Sequence, residues 1–133
     1  MLVRSFLAVA MVAVGHLAYA GKSEVEADIA KGDAAAQRRD MPEAIKWFSR
    51  AIEKDPLNVD ALTSRAVMCG HSGHVDLALQ DATRALQLNP KSTDAYFARA
   101  MAFRHRGEID KAIADLSEAI RLNPRREPLQ PAG

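Results

Sequence analysis

The chain has 133 residues and a mass of 14.5 kDa, room for one compact domain, and its 48% hydrophobic and 26% charged residues are those of a folded chain rather than a disordered one. Basic residues number 18 and acidic 17, and Arg4 is the only charge before Lys22, so the remainder is balanced; a general nucleic-acid binder, which needs a basic excess on one face, is excluded. A single cysteine, Cys69, excludes an intramolecular disulfide and a multi-cysteine metal site, and 5% aromatics leave no stacking platform for single strands.

Residues 1–20 read as a signal peptide. Arg4 is the positive start, Ser5 to Val14 is an uncharged and mostly apolar run, and Ala18-Tyr19-Ala20 is a small-x-small cleavage site before Gly21. The run is interrupted by Gly15 and His16 and stops at Lys22, short of the roughly 20 apolar residues a spanning helix needs. The expectation is export, with cleavage after Ala20 and a periplasmic or secreted location. Membrane attachment follows only if the segment is kept as an anchor.

After a short lead at 21–24, a 34-residue period organises the chain. Pro56, Pro90 and Pro124 keep it, as do Ala44, Ala78 and Ala112, and Ala51, Ala85 and Ala119. Residues 59–92 set against 93–126 give 13 identities, where chance supplies on the order of two. The units are therefore 25–58, 59–92 and 93–126, a stacked repeat architecture. Each unit reads as two helices. In the third, Tyr96, Ala100 and Phe103 keep helical spacing, Gly107 breaks it, and Ile109, Ala112, Ile113, Leu116 and Ile120 resume it. Asn89-Pro90 and Asn123-Pro124 close the pairs, because proline disfavours helical geometry in the residue before it. Residues 127–133 form a proline-rich tail with Pro128 and Pro131.

These motifs resemble the tetratricopeptide repeat family, whose pattern runs from an aromatic through Leu-Gly and Tyr to Ala, Phe and a closing Pro. The third unit carries Tyr96, Ala100, Phe103, Ala112, Leu116 and Pro124; the second Leu62, Ala66, Cys69, Ala78, Ala82 and Pro90; the first Gly32, Ala44, Phe48 and Pro56. The first unit departs from it, with Asp28 in the aromatic position and Ala35 in that of the Tyr. The resemblance implies an all-α fold, a right-handed α-α superhelix or solenoid of three helix-turn-helix repeats. The family's leucine is replaced by Arg65 and Arg99, and Asp81 and Asp115 stand in the second helices of the same two units. Unit one has Lys31 and Trp47 instead. Arginine and aspartate come and go together, which predicts Arg65–Asp81 and Arg99–Asp115 pairs between the helices of a repeat.

No catalytic constellation is present, no cofactor is expected and the chain does not read as an enzyme. His71-Ser-Gly-His74 has metal-like spacing but no third ligand nearby, so no metal site is expected. Cys69 shares an inward column with Phe103 and reads as a small packed hydrophobe. What remains is binding surface. In the family the first helices line a concave groove for a peptide or partner helix, and the resemblance projects onto that groove Asp60, Thr63, Val67 and His71 of unit two. From unit three it projects Asp94, Phe97, Met101, Arg104 and His105, with Phe97 and Met101 as exposed apolar anchors. The family's carboxylate-gripping clamp is missing, since its columns hold Ile29, Asp33, Ser64, Asp94 and Ala98. The expected function is a non-catalytic protein–protein interaction module in the cell envelope, with a protein or peptide partner and no nucleic acid. The alternative is a self-assembling structural protein, a homo-oligomer joined through the uncapped end of unit three at Ile109, Ile113, Leu116 and Ile120. An envelope enzyme or small-ligand-binding subunit is a more distant third reading.

Overall fold

The computed structural model describes residues 21–124, and within them there are six helices and no strand. They are α1 (21–37), α2 (Met41–Lys54), α3 (Val59–Ser72), α4 (Val75–Leu88), α5 (Thr93–His105) and α6 (Ile109–Leu122). Residues 21–24, expected as a lead, are already helical and belong to α1. Residues 1–20, expected as a signal segment, and the tail 127–133 lie outside the described residues.

The turns follow from the sequence at each junction. Between repeats, Asp55 and Asn89 end α2 and α4 in extended geometry ahead of Pro56 and Pro90, as the proline ring requires. The Asp55 carboxylate then accepts the Leu57 backbone N–H, and the Asn89 side chain accepts that of Lys91. Asn58 and Ser92 cap the next helices by accepting the N–H of Ala61 and Ala95. Within repeats, Gly73 and Gly107 turn the chain at φ of 82° and 77°. Arg39 sits one period earlier at φ 60°, a left-handed conformation that an L side chain adopts at a cost.

Alanine dominates the core. Ala44, Ala51, Ala78 and Ala85 are fully buried, and their small side chains let the helix axes approach closely. Partners across each repeat are matched in size. Gly32 faces Phe48 so closely that a Cβ at residue 32 would stand 2.5 Å from its ring. One period on, Ala66 packs with Ala82. Each first helix lies on the repeat before it: α3 on α2, α5 on both α3 and α4. Ala61 packs on Val25 and Ala51, and Ala95 on Leu62, Ala85 and Leu86, so the two junctions repeat one arrangement.

Candidate functional site

Bidentate ion pairs lock the helices that carry the candidate surface. Arg65 Nε donates to Asp81 Oδ2 at 2.6 Å and Nη2 to Oδ1 at 2.8 Å, while Nη1 reaches the Ser49 hydroxyl of the preceding repeat at 3.1 Å. Arg99 and Asp115 repeat the fork with both bonds at 2.8 Å, so both predicted pairs are present. Both aspartates are buried, and the paired carboxylates hold each guanidinium above its ordinary pKa. In the first repeat the same two positions form a different pair: Lys31 Nζ lies 4.3 Å from the centre of the Trp47 ring. There the charge appears one turn away instead. Asp28 fills the column of Leu62 and Tyr96, and Lys54 approaches its carboxylate at 2.8 Å and Arg50 at 3.9 Å, holding its pKa below the ordinary range.

With the first helices fixed, α1, α3 and α5 enclose an open hollow of about 350 Å3. All three repeats contribute to its lining, with Asp33 from the first, Val67 from the second and Phe97 from the third among them. Thr63 and Asp94 complete the set that sequence reading placed here. Phe97 is 45% exposed, a large apolar surface left for contact, whereas Val67 also touches the Ala66–Ala82–Ala98 core. A second hollow of about 320 Å3 adjoins it at Phe97, with His71, Met101 and Arg104 on its wall. Acidic side chains therefore edge the first hollow and basic or histidine side chains the second. Asp94 stands in the first turn of α5 and His71 and Arg104 in the last turns of α3 and α5, where the helix dipole favours those charges, whereas Asp33 stands near the end of α1.

Two projected residues differ from expectation. Met101 is buried at 9% exposure rather than an exposed anchor, because α5 packs against α3 there, with Gly70 as the facing residue; a Cβ at residue 70 would stand in ordinary contact, 3.6 Å from that of Met101. Thr63 is also buried, with a hydroxyl that has no hydrogen-bond partner. Asp60 and His105 are exposed but border neither hollow. Sequence reading passed over Met68 and Phe48 in the first hollow, and it assigned Leu116, which lines the second, to the end interface alone. Phe48 and Leu116 occupy one column of the 34-residue period, so that column was a usable signal.

The four residues of the candidate end interface, Ile109, Ile113, Leu116 and Ile120, are all exposed. Cys69 is buried against Ala78 and Ala102, and burial pushes its thiol up to about 11, which makes it a packing residue. Among the described residues no three side chains of metal-ligating type come together, and no helix is long and apolar enough to cross a membrane.

The tetratricopeptide repeat family model matches residues 13–66 and 71–127, and its first match begins inside the segment expected as a signal. No curated protein matches the chain. Among solved structures, the Arabidopsis OM64 TPR domain is 25% identical, with a TM-score of 0.77 over 80% of this chain and 88% of that one. The first TPR of Spaghetti (RPAP3) bound to the HSP90 peptide SRMEEVD is 24% identical, with a TM-score of 0.74 over 79% and 83% of the two chains. The second TPR domain of human RPAP3, in complex with the HSP70 peptide SGPTIEEVD, is 20% identical, with a TM-score of 0.73 over 80% and 89%. At these identities the last two show likeness of fold alone.

Proposed function

Because the chain belongs to the tetratricopeptide repeat family, we propose that it is a non-catalytic protein-interaction module whose first helices hold an extended peptide segment of a partner. The carrying observation is that Asp33, Val67 and Phe97, one from each repeat, open on a single hollow with an apolar floor and acidic edge. The partner's apolar side chain rests on Phe97 and Val67, and charge sets its direction along the groove. Solved relatives hold peptides ending in EEVD. Asp33 and Asp94 line the corresponding space here, and two carboxylates repel such a tail. The partner segment is therefore basic where it meets Asp33 and Asp94.

Selection from a random peptide display library on the immobilised chain tests this. The expected winners carry an apolar residue flanked by Lys or Arg, and Phe97→Ala lowers their affinity roughly tenfold or more, as loss of a central aromatic anchor does. Asp33→Lys with Asp94→Lys shifts selection toward acidic peptides. Peptides that bind Phe97→Ala as well as the parent chain would overturn the reading.

The location proposed is the cell envelope, reached by a signal peptide cleaved after Ala20. Its support is the Arg4 start, the apolar run and the Ala18-Tyr19-Ala20 site. Protein recovered from cells should begin at Gly21 on N-terminal sequencing; soluble cytoplasmic protein beginning at Met1 defeats this part.

A further inference from the structure

A second surface lies at the far end of the stack, and the chain itself indicates what fits it. A hollow of about 730 Å3 opens on the outer side of the α5/α6 pair, lined by Leu116, Ala119 and Ile120 among others. One period earlier the same positions are Ala82, Ala85 and Leu86. There they are buried, because α5 lies on them with Ala95 against Ala85 and Leu86 and with Ala98 against Ala82. Leu86 is 8% exposed and its counterpart Ile120 67% exposed. The end hollow is thus the same seat for a first helix, and among the described residues no helix fills it.

The residues that fill this kind of seat recur at fixed positions. Ala95, Ala98 and Ala102 of α5 do so in the structure, and Ala61 and Met68 of α3 do so one period earlier. One period earlier again stand Ala27, Ala30 and Ala34 of α1, the first two exposed and the third half-buried. We propose that the α5/α6 seat of one copy receives α1 of a second copy, so that chains stack head to tail and the junction between molecules continues the junction between repeats. Small alanines on α1 meet large Leu116 and Ile120 in the seat, a match of volumes. A polar contact marks the register at the first junction, though not at the second, where Arg99 bonds to Asp115 alone. Arg65 reaches Ser49 on the preceding repeat, and at the intermolecular junction the equivalent residues are Lys31 of the incoming copy and Ser117. Because the two surfaces differ, the contact is heterologous and leaves a free end on every assembly.

The seat adjoins the peptide groove and shares Asp94 and Phe97 with it, but Ile120 and Ala30 line no part of that groove, so substitutions there test the assembly apart from peptide binding. Sedimentation velocity on protein expressed from the full 133-residue sequence is the test. The expected result is a mass that climbs with concentration without stopping at a dimer. Ile120→Glu blocks the seat and Ala30→Arg blocks the incoming helix, so each variant alone is monomeric. Mixed in equal amounts, they form one dimer-sized species and nothing larger, since each keeps one working surface. Circular dichroism checks that both fold, and Leu116→Glu, also in the seat, replaces Ile120→Glu if that variant does not. A monomeric parent chain overturns the proposal, as does association untouched by both substitutions or a mixture that stays monomeric. A parent chain that assembles only after deletion of residues 125–133 overturns it as well, since the seat then belongs to the chain's own tail.

Discussion

Arg39 holds φ at 60° in the position that Gly73 and Gly107 fill in the later repeats. The intra-repeat turn needs this conformation, because it carries the chain from α1 back along α2, and an L side chain pays about 1 kcal/mol or more to adopt it. Arg39→Gly should therefore raise stability by about 1 kcal/mol, read as a higher urea midpoint with an unchanged slope. A lower midpoint would mean that the arginine side chain contributes more than its backbone costs. Gly32 obeys a different constraint. Its backbone is ordinary helix, and what excludes a side chain there is the Phe48 ring. Two kinds of glycine, one needed for torsion and one for space, thus look alike in a sequence.

Helices in this chain are joined by exchanges of whole pairs. Arg–Asp in repeats two and three becomes Lys31–Trp47 in repeat one, and the core column of Leu62 and Tyr96 becomes Asp28 held by Lys54. A buried charge without its partner is what such exchanges avoid. Asp81→Ala leaves the Arg65 guanidinium half-buried and unpaired, and should cost about 3 kcal/mol. Arg65→Leu combined with Asp81→Ala removes both charges and restores an apolar contact, so it should recover most of that loss. Denaturant unfolding of the two single variants and the double variant measures the difference. A double variant no more stable than the less stable single would show that the ion pair itself, rather than avoidance of a lone charge, holds α3 to α4, whereas losses that simply add would show that the two side chains act independently.

Stacked repeats touch only their neighbours, so stability is distributed by position along the stack. Repeat two is covered on both sides. Repeat three is covered on one, and its α6 leaves Ile109, Ile113 and Ile120 exposed. In dilute solution the amide protons of α6 should exchange roughly tenfold or more faster than those of α4, with α3 and α4 slowest of all. Equal protection of α4 and α6 would show that the end of the stack is covered. The order matters for function, because Phe97 stands on α5 at the junction of the stable middle and the looser end.

The sequence by itself determined the helices, their turns and the Arg65–Asp81 and Arg99–Asp115 pairs. All of these depend on residues at fixed offsets within or between repeats, and a 34-residue period makes such offsets visible. It also determined which residues share a column, Asp33 with Val67 and Met101 and Thr63 with Phe97, and so set those two columns side by side in one groove. Only the tertiary structure decided which of them faces solvent. Met101 lies one turn from Phe97 on the same helix, yet it is buried because it faces α3 at Gly70, whereas Phe97 faces the open hollow. Columns record what repeats along a stack, whereas burial depends on the volume of the side chain across the gap, and that neighbour is fixed by how the helices cross.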